Sequence, residues 1–172
     1  LDLVRQITDM NNGKYLDPNI EKGSRTDFCI GIAGYPEKHF EAPNMEYDLH
    51  FTAEKIKAGA DYIVTQMYFD HKKFSEYVRK CREMGITVPI VPGIKPLTKK
   101  YQLASIPRMF FVNMPDDLVK EAAKATTDLA MADLGVEWAI MQCKHLIEEK
   151  VPCIHFYTMG DVKTISRILK GI

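Results

Sequence analysis

Two stretches decide the fold, FCIGIAG at residues 28–34 and DYIVTQMYF at residues 61–69. Each is a short, nearly unbroken apolar run with β-branched or aromatic residues, bounded by polar and turn-forming ones. A strand with one wet face alternates apolar and polar side chains, whereas a strand of a parallel sheet, covered on both faces, does not. Both runs therefore read as buried parallel strands. TVPIVPG (87–93) and CIHFYT (153–158) repeat the pattern, with Pro89 tolerable near a strand start.

Helical periodicity fills the gaps. From Glu46 to Ala58, Leu49, Ala53 and Ile56 recur at helical spacing, and Gly59 stands where a C-cap belongs. Lys72 to Met84 places Phe74, Tyr77, Val78 and Cys81 on one face, with Gly85 as the stop. Thr98–Ser105 reads as a short helix and SIPRMFFVNMP (105–115) as an irregular apolar connection, in which Phe110 and Phe111, like Tyr68 and Phe69 earlier, belong to the core. A helix starts at Asp116, with acidic residues at its positive end, and a longer helical pattern then runs to about Glu149 with Leu134, Trp138, Met141 and His145 on one stripe. Val162, Ile165, Ile168 and Leu169 stripe a closing helix. Strands alternating with helices are the βαβ signature of a parallel sheet. Four strands are few, since a closed (β/α)8 barrel needs eight and about 250 residues. The chain reads as either a small open α/β sheet or a piece of a barrel.

Composition narrows the function. With 23 basic and 23 acidic residues in 172, the formal net charge is zero, so no long-range field draws in nucleic acid or an anionic membrane. No apolar run approaches the ~20 residues that span a bilayer. The N-terminal LDLVRQITDMNNGKY has no signal-peptide pattern and reads as the middle of a longer chain. Cys29, Cys81, Cys143 and Cys153 form no C-x-x-C pair and lie in apolar or amphipathic stretches, so buried, reduced thiols in a cytoplasmic protein are expected. The five histidines show no metal-ligand spacing, and no metal is expected. No phosphate-binding glycine loop is present either. The polar residues that stand out, Tyr35, His39, Gln66 and Tyr157, lie at or near strand C-termini, the edge where parallel α/β folds bind ligands. On residue type alone, Asp48 and Lys55 are ordinary helix-face charges, Gln66 a hydrogen-bonded strand amide and His155 a satisfied barrel histidine.

FCIGIAGYPEKHFEAP followed by DYIVTQMYF, then GITVPIVPGI and CIHFYTM, resembles the methylenetetrahydrofolate reductase family in order and spacing from about Asp27 to Thr158. The resemblance implies a parallel α/β chain of the (β/α)8 TIM-barrel class. Residues 1–172 would form a single partial barrel domain, about the second half, from the fourth helix through the eighth. It further implies FAD, with NADH or NADPH as reductant, and two successive hydride transfers that take 5,10-methylenetetrahydrofolate to 5-methyltetrahydrofolate, a step of one-carbon metabolism and methionine biosynthesis. By the same resemblance Tyr35, His39, Ala42, Asp48 and Lys55 are FAD contacts, with Asp48 on the adenosine portion and Lys55 on the pyrophosphate. Gln66 and Gln102 are folate contacts.

The chemistry suits these roles. A carboxylate accepts two ribose hydroxyls, an ammonium neutralises phosphate oxygens, and an amide offers a pterin one donor and one acceptor. Asp48 and Lys55 are seven residues apart, so one helix face presents both. Two departures touch folate recognition. Met159, Gly160 and Asp161 stand where the family has Asn-Arg after HFYT, and Ile106 stands in place of an aromatic. The family's general-acid glutamate and its Arg-Gly-Asp segment have no counterpart, so no catalytic residue is expected within these residues. Expected alone, the chain is an inactive portion of a reductase. The alternative is a catalytically inactive half barrel that self-associates as a homo-oligomer or binds a partner, because a barrel cut after four strands leaves two sheet edges and an apolar interior.

Overall fold

The computed structural model describes residues 1–20 and 23–172. The elements run α1 (Asp2–Asn11), β1 (Gly31–Gly34), α2 (Met45–Lys57), β2 (Tyr62–Met67), α3 (His71–Glu83), β3 (Ile90–Ile94), α4 (Gln102–Phe110), α5 (Asp116–Lys124), α6 (Asp128–Glu148), β4 (His155–Phe156) and α7 (Val162–Leu169). The four strands form one sheet in the order β1-β2-β3-β4, and all three pairings are parallel.

That order never reverses. Right-handed crossovers made always in the same direction put every connecting helix on one face, as in a barrel wall, whereas a doubly wound sheet reverses and is covered on both. Side-chain burial agrees. Ile32, Ile63, Ile90 and Ile94 point to the helices and share one core with Val4 of α1, Leu49 of α2, Phe74 and Tyr77 of α3, Cys143 of α6 and Ile168 of α7. On the opposite face Gly31 and Ala33 are exposed, and Tyr62, Val64 and Gln66 are half-buried. A second, smaller core joins Met67, Phe69 and Leu97 to Ile106 of α4, Leu118 of α5 and Met131 of α6.

Several expectations need correction. Within 28–34 only Gly31–Gly34 joins the ladder, because Ile30 is held by Asp61 instead: its N–H donates to Asp61 Oδ2 at 2.7 Å. The stretch 105–115 is not an irregular connection throughout. Helix α4 runs through Pro107 to Phe110 and ends with Phe111 in the left-handed region at φ 57°. The boundary between the helix begun at Asp116 and the longer one after it falls at Thr127, whose hydroxyl caps the second by accepting from Ala130 N–H at 3.1 Å. The buried stripe of α6 is Met131, Gly135, Ala139, Gln142 and Leu146, offset from the expected one. Gly135 is needed there, since a Cβ would meet the Leu97 carbonyl oxygen at 1.8 Å. Cys81 and Cys143 are buried, but Cys29 and Cys153 are exposed. Phe110 and Phe111 are exposed rather than core, as is His155, which makes an edge contact with Tyr157.

Candidate functional site

Two cavities open near the C-terminal edge of the sheet. The first, of about 290 Å³, lies between the β1–α2 loop and α2. Tyr35, His39, Ala42, Asp48 and Lys55, singled out in the sequence, all line it. Asn44 starts α2 by accepting from Tyr47 N–H at 2.8 Å, and the seven-residue spacing of Asp48 and Lys55 brings both to the same side.

The loop above the cavity is tied at several points. The Lys38 ammonium donates to the Ala42 carbonyl at 2.9 Å, and the Asp48 carboxylate accepts from His39 N–H at 2.8 Å. The Tyr35 and His39 rings meet edge-on with centroids 4.7 Å apart. Farther along, Phe40 stacks on Phe111 at 5.0 Å, and Glu37 accepts from both the backbone and side-chain N–H of Asn113. The loop is thus clamped to the segment after α4, across the mouth of the sheet. Burial raises the Tyr35 phenol above its ordinary pKa, with the Asp48 charge adding to the effect. Among the described residues the Lys55 ammonium has no hydrogen-bond or ion-pair partner, and one Asp48 oxygen stays uncommitted. A cation and a free carboxylate oxygen beside aromatic rings fit the phosphate, ribose and ring portions of a dinucleotide such as FAD. Tyr47 and Phe51 join this wall and escaped the sequence reading, although exposed aromatics at i, i+4 on a polar helix were the signal for them.

The second cavity, of about 650 Å³, lies over the ends of β2, β3 and β4 and under α4. Both Gln66 and Gln102 line it. Their carbonyl oxygens are already engaged: Gln66 Oε1 accepts from Met67 N–H at 2.9 Å, and Gln102 Oε1 from Thr98 and Lys99 N–H at 2.7 and 2.9 Å. Each amide therefore presents chiefly its NH2 donors, a narrower offer than the donor-plus-acceptor expected from residue type.

The floor depends on a bulge in β2. Val64 pairs with Val91 and Met67 with Gly93, so three steps on β2 meet two on β3. The Gly93 N–H donates to Thr65 Oγ1 at 3.0 Å, and the freed Thr65 carbonyl accepts from the Tyr157 hydroxyl at 2.9 Å. Tyr157 lies across Gly93, where a Cβ would come within 2.6 Å of its ring. Burial raises the Tyr157 phenol's pKa, with Tyr35 adding to the effect. Ile106, at the position of the family's aromatic, is buried and lines the same cavity. Lys95 and Asp161 line it too. Lys95 carries no signal of its own in the sequence, being a lysine one residue past an apolar strand.

A sheet wound in one direction with two ligand-sized cavities at its C-terminal edge defines a portion of an α/β barrel. The chain belongs to the methylenetetrahydrofolate reductase family, whose profile matches residues 1–172. It is similar to a probable methylenetetrahydrofolate reductase (NADPH) of Caenorhabditis elegans, 36% identical over 84% of this chain and 22% of the relative. It is also similar to methylenetetrahydrofolate reductase (NADH) 1 of Zea mays, 30% identical over 100% of this chain and 28% of the relative. The chain thus spans about a quarter of the length of these relatives. In structure it resembles an uncharacterized Clostridium thermocellum protein that binds two copies of 5-methyl-5,6,7,8-tetrahydrofolic acid, with a TM-score of 0.55 at 16% identity over 84% of this chain and 52% of the other. At that identity the likeness shows the fold. The family fold is a TIM barrel, and this chain is part of one.

Proposed function

We propose that residues 1–172 form the second half of the barrel, from about the fourth helix through the eighth. In this reading the barrel reduces 5,10-methylenetetrahydrofolate to 5-methyltetrahydrofolate in the cytoplasm, using FAD with NADH or NADPH as reductant. The carrying observation is that Tyr35, His39, Ala42, Asp48 and Lys55 line one cavity while Gln66 and Gln102 line its neighbour. When bound, the flavin supplies hydride transfer between nicotinamide and folate. The free oxygen of Asp48 accepts from ribose hydroxyls, and Lys55 neutralises phosphate oxygens. The NH2 groups of Gln66 and Gln102 donate to the folate, while Ile106 and Phe110 exclude water. No residue of the chain takes the general-acid role.

Two binding titrations on the full-length protein test this. FAD affinity falls on substitution of Lys55 and folate affinity on substitution of Gln66, each without the other. Loss of both ligands together on either substitution would return these residues to structural roles. By the same reading the 172-residue chain alone shows no folate-dependent oxidation of reduced nicotinamide, because positioned proton transfer alone contributes about 10²–10⁴-fold.

A second reading is favoured by the open edges. Among the described residues β1 and β4 each pair on one side only, so this portion joins further strands or a second copy, as a homo-oligomer.

A further inference from the structure

We propose that Lys95 is a specificity residue of the larger cavity and that its ammonium receives a carboxylate of the folate's glutamyl group; this rests on the folate reading above. Lys95 is the one cation among the described residues lining that cavity. It follows β3 directly, which fixes its backbone at the cavity edge. Its Nζ donates to the Tyr157 carbonyl at 3.2 Å, and among the described residues it has no ion pair. Two of its three N–H donors are therefore left over.

The one acid in the same wall offsets it only in part, since the Asp161 charge raises the Lys95 pKa by less than desolvation lowers it. Asp161 accepts from Thr164 N–H at 3.0 Å and from the Thr164 hydroxyl at 2.7 Å, so both its oxygens are occupied as the cap of α7. A half-buried ammonium without a direct ion pair is unfavourable in a wall built largely of Ile106, Met109, Phe110, Met159 and Ile165. Desolvation lowers the Lys95 pKa, as this geometry requires. A ligand that brings a negative charge relieves that cost. A folate's pterin is neutral and is served by the amide donors of Gln66 and Gln102, so its anionic groups are the glutamyl carboxylates. A phosphate of the nicotinamide cofactor carries the same kind of charge and is the competing source.

The test uses the full-length, flavin-loaded protein and three ligands: 5-methyltetrahydrofolate, its uncharged pteroyl carboxamide analogue lacking the glutamyl group, and NADPH. In the wild type the glutamyl form binds about tenfold or more tightly than the analogue, the size expected of a charge-assisted contact. Lys95→Met removes that preference and leaves the affinity of the analogue within about twofold, and Lys95→Arg restores the preference in part. Equal weakening of both folates by Lys95→Met would overturn the assignment, as would selective weakening of NADPH. A wild-type protein that binds neither folate would overturn the folate reading itself, and the assignment with it.

Discussion

The carboxylate of Asp48, on the first turn of α2, accepts the backbone N–H of His39 at 2.8 Å. The residue proposed to meet the cofactor's ribose thus also holds the loop that carries the proposed flavin contacts. Its two oxygens divide the work, one facing the loop and one left for a ligand.

Removing that carboxylate should loosen the loop before it affects any ligand. Asp48→Ala is expected to cost of order 1–2 kcal/mol, as for a partly exposed charge-assisted hydrogen bond. Asp48→Asn, which keeps an acceptor oxygen, should cost less. Hydrogen exchange at the His39 amide checks this directly. An amide as well protected in Asp48→Ala as in the wild type would show that the loop is held by other contacts.

Lys55→Ala should weaken FAD binding roughly tenfold at low ionic strength and by less at high salt, because a phosphate contact on an open helix face is screened. Fluorescence titration of the flavin at two salt concentrations measures the difference. A loss independent of salt would place Lys55 away from the phosphates.

Gln66→Ala should weaken folate binding by about 1–3 kcal/mol and leave flavin content unchanged. The substitution removes the NH2 donors and also the oxygen that satisfies Met67 N–H within the bulge. Calorimetric titration with 5-methyltetrahydrofolate gives the first quantity and the flavin absorbance the second.

Gly93→Ala tests the cavity floor. The new methyl would meet the Thr65 carbonyl oxygen at 2.3 Å and the Tyr157 ring at 2.6 Å, and neither yields without breaking the Tyr157–Thr65 hydrogen bond. Overpacking of this kind typically costs about 1–3 kcal/mol. Folate affinity and thermal stability should fall together, whereas Gly85→Ala, strained at φ 78° but outside the cavity lining, should lower stability and leave folate affinity intact. Normal folate binding by Gly93→Ala would detach Tyr157 from the site.

The start of α7 should be acid-sensitive. Hydrogen bonds from Thr164 hold the Asp161 carboxyl below its ordinary pKa of 3.8. A depressed folded-state value means that the cap stabilises fully above the ordinary carboxylate range and is lost as pH falls through the depressed value. Asp161→Ala should cost about 1 kcal/mol at neutral pH and nothing further in acid. Denaturant midpoints at pH 7 and pH 3 supply the comparison.

The parallel βαβ order was legible because its signals are local. Apolar runs marked the strands, and Gly59 and Gly85, at φ 113° and 78°, do end α2 and α3 as their positions predicted. The site residues drew attention through the family resemblance rather than through residue type, since Asp48 and Lys55 look like any helix-face charges. What stayed hidden depends on tertiary closure. Pro107 masked α4 because a proline usually ends a helix, whereas here the chain continues to Phe110. Asp48's bond to His39 exists only once the loop has folded back. Lys95 becomes conspicuous only when β4 and α4 close the space around it.

The two-residue β4 also bears on the order in which contacts form and break. The β1–β2 pairing joins Gly31 to Tyr62 and the β2–β3 pairing joins Ile63 to Ile90, whereas β3 reaches β4 only from Gly93 to His155. The longer span adds little closure entropy, because doubling a loop costs only about 0.6 kcal/mol. The return on it is smaller still, since the ladder there pairs only two positions. The first three strands therefore make the earlier and more durable unit, with β4 and Tyr157 joining late and opening first. A ligand filling the larger cavity would then slow the opening of this last strand, so that occupancy of the site is written into the exchange lifetime of the Tyr157 amide, which donates to the Ile94 carbonyl.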